Sequence, residues 1–251
     1  MNFNDEVEKR IRANSENKAL IRVADEFMRE SLLPQYSYNF SWLGRPIIQY
    51  PQDIVAVQEL IWTVKPDLII ETGIAHGGSL ILSASMLALL DIAYPGDTTA
   101  PGPQRKVLGI DIDIRPHNRT AIESHPLSRY IEMIQGSSIS PEIVSRVHKI
   151  AAKHGRILVC LDSNHTHAHV LAELEAYAPL TSVESYCVVF DTVVEDVPAD
   201  LFKDRPWGPG DNPKTAVRQY LQYHPEFVID KTIQHKLLIS VARDGYLRRV
   251  Y

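Results

Sequence analysis

Cysteine is scarce. The 251-residue chain carries two, Cys160 and Cys187, each inside an apolar, strand-like run. That argues against a disulfide framework and for a reducing, cytoplasmic setting in which both thiols are buried and inert. An excess of basic residues is also missing. The net charge is −5, which leaves no electrostatic footprint for nucleic acid. Nor is there a long hydrophobic run. The most apolar stretch, SLILSASMLALLDIAY, is too short and too rich in serine to span a bilayer, so no membrane partner is expected. The first residues, MNFNDEVEKRIRANS, are polar and charged, unlike a secretory leader. The sequence contains no internal repeat.

What is present is an ordinary globular composition, 45% hydrophobic and 23% charged. The chain is long enough to bury a core without disulfides or structural metal. It suits one large α/β domain with a terminal extension, or at most two small domains. Residues 1 to about 30 follow a broken 3.6-residue period through Val7, Ile11, Leu20, Val23 and Phe27, and are expected to form a helix. LLPQYSYNFSWLGRPIIQYP is rich in aromatics and turn formers and reads as a loop lying over another part of the chain. PQDIVAVQELIWTVKP reads as a second helix that ends at Pro66.

A repeating pattern follows. DLIIETG, KVLGIDID, YIEMIQG, RILVCLD and SYCVVFD are short apolar strands. Between them lie helical stretches, one with a serine cap and a glycine at its end. Fully apolar strands alternating with helices imply a parallel sheet covered on both faces. After Asp191 a long loop rich in Pro, Gly and Asp interrupts the pattern, and such loops tend to be functional. KTAVRQYLQYHP is a further helix. EFVIDKTIQHKLLISVARDGYLRRV reads as strand-like runs that close the sheet with an antiparallel strand.

In an open parallel sheet, ligands bind past the carboxyl ends of the strands. The residues there are Glu71-Thr72-Gly73, Asp111 with Asp113, Gln135-Gly136-Ser137-Ser138, Asp162 to His165, and Asp191. In ETGIAHGGS, Gly73, Gly77 and Gly78 let the backbone bend and approach a ligand closely. The free amides that open the next helix, near Ser79, can hold a polar group. Glu71 would repel a pyrophosphate but suits the amino group of an amino acid. Asp111 is placed to accept ribose hydroxyls, with Asp113 as a cofactor contact or a helix cap. Ser137 and Ser138 stand where an adenine edge would be read. An amino-acid end, a ribose and an adenine together describe S-adenosylmethionine.

ETGIAHGGS, GIDID, LDSNHTHAHVLAELEAYAPL and GDNPKTAV resemble the cephalosporin hydroxylase and rhamnosyl O-methyltransferase family. The likeness covers roughly residues 40 to 225. It implies a Rossmann-like class I methyltransferase fold, with a seven-stranded, mostly parallel sheet, an antiparallel last strand and an N-terminal helical extension. We therefore divide the chain into residues 1–50, a helical and aromatic cap or oligomer contact, and 51–251, an S-adenosylmethionine-binding catalytic domain. A homo-oligomer is expected. The implied activity is O-methyl transfer to a sugar or natural-product hydroxyl, so the partner is a small-molecule acceptor. Magnesium is common at such sites.

Carried over by position, Asp162 matches a metal-binding acid that also lies beside the cofactor. Asp191 matches the second acid of a Glu-Asp pair, and His165 matches a general base. The family's glutamate is replaced by Phe190. Two carboxylates could still hold magnesium, more weakly. Glu195 or Asp196 could substitute for the missing acid, or the chemistry could rely on His165 without metal. Tyr38, Trp42 and Trp207 offer flat surfaces for the acceptor. Two other outcomes stay open on the same scaffold: rearrangement or dehydration, and cofactor binding without methyl transfer. His165-x-His167-x-His169 also resembles the metal motif of zinc-dependent hydrolases. It lacks the acid and later histidine that complete their binuclear site. His167 and His169 are read as the polar start of a helix.

Overall fold

In the computed structural model, which describes residues 2–95 and 103–251, two helices lead the chain, α1 (Phe3–Glu16) and α2 (Lys18–Leu32). The single helix expected up to about residue 30, whose first residue lies outside the described ones, is therefore interrupted. Asn17 is the cause: its side chain accepts from the Leu20 amide and caps α2, a local bond that competes with continued helix. The aromatic segment is not all loop. It contains β1 (Phe40–Trp42) paired antiparallel with β2 (Arg45–Ile47). Leu43 and Gly44 between them both have positive φ, as a two-residue hairpin turn requires. Leucine rarely adopts that conformation, so no turn signal marks the position.

The α/β body then runs in order. It comprises α3 (Pro51–Val64), β3 (Leu68–Thr72), α4 (Gly78–Ala93), β4 (Lys106–Asp111), α5 (Pro116–Glu123), β5 (Ile131–Gln135) and α6 (Pro141–Ala151). It continues with β6 (Ile157–Leu161), α7 (His167–Tyr177), β7 (Tyr186–Val189), α8 (Pro213–Tyr220), β8 (Phe227–Ile229), α9 (Lys231–Leu237) and β9 (Tyr246–Arg249). Ser140 caps α6 as expected, but the helix stops at Ala151, ahead of the glycine at 155. The closing segment differs from its strand-like reading as well: KTIQHKL is helix α9, capped by Asp230.

The seven-stranded sheet has the order β5-β4-β3-β6-β7-β9-β8. β3 runs parallel to β4 and β6, and the only antiparallel member among the described strands is β9, inserted between β7 and β8. From β3 the chain first builds outward through β4 and β5, then returns to add β6 and β7 on the other side. The crevice at β3/β6 is thus the switch point where ligands bind in such sheets. Alternate residues of β3 feed opposite cores. Ile69 packs with Val57, Leu60 and Leu87, whereas Leu68 and Ile70 pack with Val147, Leu174 and Val217.

One buried charge ties the C-terminal segment to α3. The Asp53 carboxylate accepts from Ser240 Oγ at 2.6 Å, the Val241 amide at 2.9 Å and Tyr246 Oη at 2.8 Å. Burial pushes its pKa up from 3.8 to about 6, against the lowering effect of these bonds. Cys160 and Cys187 are free and buried, and burial raises both thiols. Among the described residues no helix is long and apolar enough to cross a membrane.

Candidate active site

The turn after β3 is squeezed between neighbouring strand ends. A Cβ on Gly73 would lie 2.2 Å from the Asp162 carbonyl oxygen, and Gly73 has φ +87°, so glycine is required there on two counts. Asp111, at the end of β4, holds the turn: its Oδ2 accepts from the amides of Ile74 at 2.8 Å and Ala75 at 3.3 Å. Its Oδ1 accepts from the Asp113 amide. Arg45 and Asn118 complete the frame. Arg45 donates to the His76 carbonyl and to Asn118 Oδ1, and Asn118 donates to the Ala75 carbonyl. Neither was singled out from sequence, because each acts on backbone far from it in the chain.

Three side chains converge across the crevice. Asp162 follows β6, His165 sits in the turn before α7, and Asp191 follows β7 in a left-handed conformation that aspartate tolerates. One ligand atom from each lies within 4.8 Å of the other two. His165 Nε2 is 3.2 Å from Asp191 Oδ2, and the His165 and Trp207 rings pack edge to face, with centroids 4.8 Å apart and planes at 79°. Removal from water, followed by the charges of Asp191 and Glu71, holds Asp162 well above the usual carboxylate range. Two carboxylates and an imidazole form a donor set suited to a divalent cation that keeps part of its water shell. Phe190 adds no donor. Its ring is 3% exposed and belongs to the core.

The loop acids offered as replacements are engaged elsewhere. Glu195 accepts from the Gly210 amide, Asn212 Nδ2 and Arg218, which hold it below the usual carboxylate range. Asp196 pairs with buried Lys214. These bonds explain the GDNPKTAV stretch. Asn212 caps α8 and ties down the loop that carries Trp207.

A cavity of about 510 Å³ opens over the cluster, within the size range of small-molecule sites. Of the residues singled out from sequence it is lined by Gly73, Gly78, Ser79, Asp162, His165, Phe190, Asp191, Tyr38 and Trp207. His76, Arg205 and the segment Pro46–Tyr50 also line it, without any motif to announce them. Glu71 does not reach this cavity. It is buried, accepts from Ser79 Oγ and faces a small adjoining pocket with Gln49 and Ser83. Burial pushes its pKa up to about 7. Gly77 is packed against Ile122. Trp42 turns away and donates to Ser85 Oγ.

Asp113 is exposed, and with Ser137 and Ser138 it lies outside the cavity lining. The three histidines do not converge. His167 bonds Thr215 and Gln219 and so fastens α7 to α8, while His169 contacts Ser138 and Ser163. A three-histidine zinc site is thereby excluded.

The family model for Rhamnosyl O-methyltransferase/CmcI matches residues 34–250. A Rhamnosyl O-methyltransferase of Mycobacterium leprae is 26% identical over 212 residues, covering 83% of this chain and 82% of its own length. One from Mycobacterium tuberculosis strain H37Rv is 28% identical over 202 residues, covering 78% and 73%. Among solved structures, CmcI with magnesium and S-adenosylmethionine superposes with a TM-score of 0.56 at 20% identity, covering 85% of this chain and 78% of that one. The fold is shared with that structure.

Proposed function

Because the chain belongs to the rhamnosyl O-methyltransferase/CmcI family, we propose that it carries a methyl group from S-adenosylmethionine to a hydroxyl of a sugar or natural-product small molecule, with His165 receiving the hydroxyl proton. The chain is an S-adenosylmethionine-dependent O-methyltransferase. One observation carries the site assignment: Asp162, His165 and Asp191 meet on the wall of a cavity bordered by the glycine turn.

The cofactor supplies a methyl group already activated on a sulfonium, so what remains for the protein is orientation and proton removal. The turn from Gly73 to Ser79, with Glu71 behind it and Asp162 opposite, would hold the amino-acid end. Asp111 and Asp113 would take the ribose, and Ser137 and Ser138 the adenine. Ile112, 72% exposed, and Ile139, 40% exposed, follow the same two strands and supply apolar surface for a ring. Facing a carboxylate, His165 Nε2 carries a proton and donates it. The lone pair is then on Nδ1, which takes the proton of the acceptor hydroxyl. The perpendicular packing of Trp207 restricts the ring.

Asp162 and Asp191 would hold a magnesium ion, which when bound would orient the acceptor oxygen and lower its pKa. Residues 1–50 act as a cap, since Leu32, Gln35, Tyr38 and Pro46–Tyr50 line the cavity. Exposed Val23, Phe27 and Leu33 offer the surface for a homo-oligomer.

The test pairs calorimetry with S-adenosylhomocysteine and a methyl-transfer assay from labelled S-adenosylmethionine on a panel of rhamnosides and other glycosides. Binding and transfer by the wild type are expected. Absence of S-adenosylhomocysteine binding overturns the reading.

A further inference from the structure

Arg205 lines the cavity without a counter-ion. It is the one arginine or lysine among the described residues of the cavity wall. Among those residues its guanidinium meets no carboxylate. What it meets is the Trp207 ring, with Cζ 5.3 Å from the centroid. The acids nearby in the chain do not serve it. Glu195 is taken by Arg218 and Asp196 by Lys214, and Asp204 points to solvent.

The segment that carries this charge is held in place. The Arg205 amide donates to the Phe202 carbonyl at 2.9 Å, and Leu201 and Phe202 pack against the core. On the other side, Asn212 Nδ2 donates to the Gly208 carbonyl. Trp207 touches both Arg205 and His165, so a positive charge lies one indole ring away from the base. That is the span of a sugar ring with a substituent.

The signs of charge on the wall are separated. Apart from histidines, the other charged side chains that line the cavity are Asp162 and Asp191. They repel a negative group on the acceptor, as does the chain as a whole with its net charge of −5. Arg205 is the place where such a group gains. A guanidinium presents paired N–H donors that match a phosphate or a carboxylate. The separation also sets direction: a charged substituent goes to Arg205, and a neutral hydroxyl is turned toward the acids and His165.

We infer that the acceptor carries an anionic group, a phosphate or a carboxylate, on or next to the ring that is methylated, and that Arg205 is the specificity-determining residue that binds it. The inference rests on the methyltransferase reading and deepens it by assigning the charge of the acceptor.

The experiment is calorimetric titration of the full-length protein, saturated with S-adenosylhomocysteine, with methyl rhamnoside, rhamnose 1-phosphate and methyl glucuronide. Wild type, Arg205→Lys and Arg205→Gln are compared. In the wild type at least one charged sugar is expected to bind about tenfold more tightly than the neutral glycoside, as one charge-assisted hydrogen bond supplies. Which of the two is preferred tells phosphate from carboxylate. Arg205→Gln brings the preference to within about twofold. Arg205→Lys falls between, because an ammonium keeps the charge but not the paired donors. S-adenosylhomocysteine affinity in both variants stays at the wild-type value, which a merely structural role for Arg205 would not allow. A wild type that binds the charged sugars no more tightly than the neutral one, or binds none of them, overturns the proposal. So does a preference that survives in Arg205→Gln. Absence of S-adenosylhomocysteine binding by the wild type overturns the methyltransferase reading and this proposal together, whereas cofactor-product binding without any preference for charged sugars overturns this proposal alone.

Discussion

His165 Nε2 lies 3.2 Å from Asp191 Oδ2, a contact between the turns that follow two neighbouring strands, β6 and β7. The pair gives the imidazole a fixed tautomer and direction. His165→Ala is expected to lower methyl transfer by about 10²–10⁴-fold, the usual contribution of a positioned base, while S-adenosylhomocysteine affinity is retained. Asp191→Asn, which keeps the shape but not the charge, should fall between that variant and the wild type. Steady-state kinetics beside calorimetry checks both. Full activity in His165→Ala would remove the base assignment.

Gly73→Ala should fail structurally before it fails chemically. The new Cβ would meet the Asp162 carbonyl at 2.2 Å, at a backbone φ of +87°. Strain of this kind typically costs roughly 1–3 kcal/mol before the clash is added. The thermal midpoint is expected to drop by several degrees, about 2–4 °C per kcal/mol for a chain of this size, together with loss of cofactor binding.

The buried Asp53 sets a pH dependence of stability. Its folded pKa of about 6 lies above its ordinary value of 3.8, so the folded state binds the proton more tightly. The protonated form favours folding, and that contribution declines as pH rises from about 4 to about 6. At about 1.4 kcal/mol per unit, the loss is about 3 kcal/mol at most. Asp53→Asn does not ionise, and the Ser240 and Tyr246 hydroxyls can turn to accept from its amide. Its stability relative to wild type should therefore rise across that window. Denaturant melts at pH 4, 5, 6 and 7 measure it, and a flat difference would count against the assignment.

Phe190 stands where the resemblance would place the glutamate of the Glu-Asp pair, and its ring is in the core. Phe190→Glu is expected to destabilise the metal-free protein, since it adds a carboxylate to a region already shared by Asp162, Asp191 and Glu71. Magnesium should then raise the variant's thermal midpoint more than the wild type's, by mass action on the folded state. Equal shifts would show that position 190 does not face the cation.

Much of the sheet could be read from the sequence, because LIIET, KVLGID and ILVCL each carry a short apolar run bounded by turn formers. Asp111, Asp162 and Asp191 then stand at or just past the carboxyl ends of β4, β6 and β7. What stayed hidden depended on contacts distant in sequence. Glu71 looked like a ligand for an ammonium group but is turned toward Ser79. Glu195 and Asp196 looked free but are held by Asn212, Arg218 and Lys214. KTIQHKL lies among strand-like runs, yet Ile233 and Leu237 are spaced one helical turn apart and Asp230 caps the segment into a helix. Arg45 frames the glycine turn from the hairpin, a role that no spacing in the chain reveals.

The placement of β9 bears on how the molecule is made. β7 finds its outer neighbour, and β8 its only sheet neighbour among the described strands, in a strand that follows both. During synthesis the flank of β7 stays bare, and the oxygens of Asp53 wait in α3 for Ser240, Val241 and Tyr246. An exposed strand edge beside a buried charge invites association with other chains. A nascent chain that stalls before residue 240 would thus keep that edge open to other chains until the four-residue strand that closes it is made.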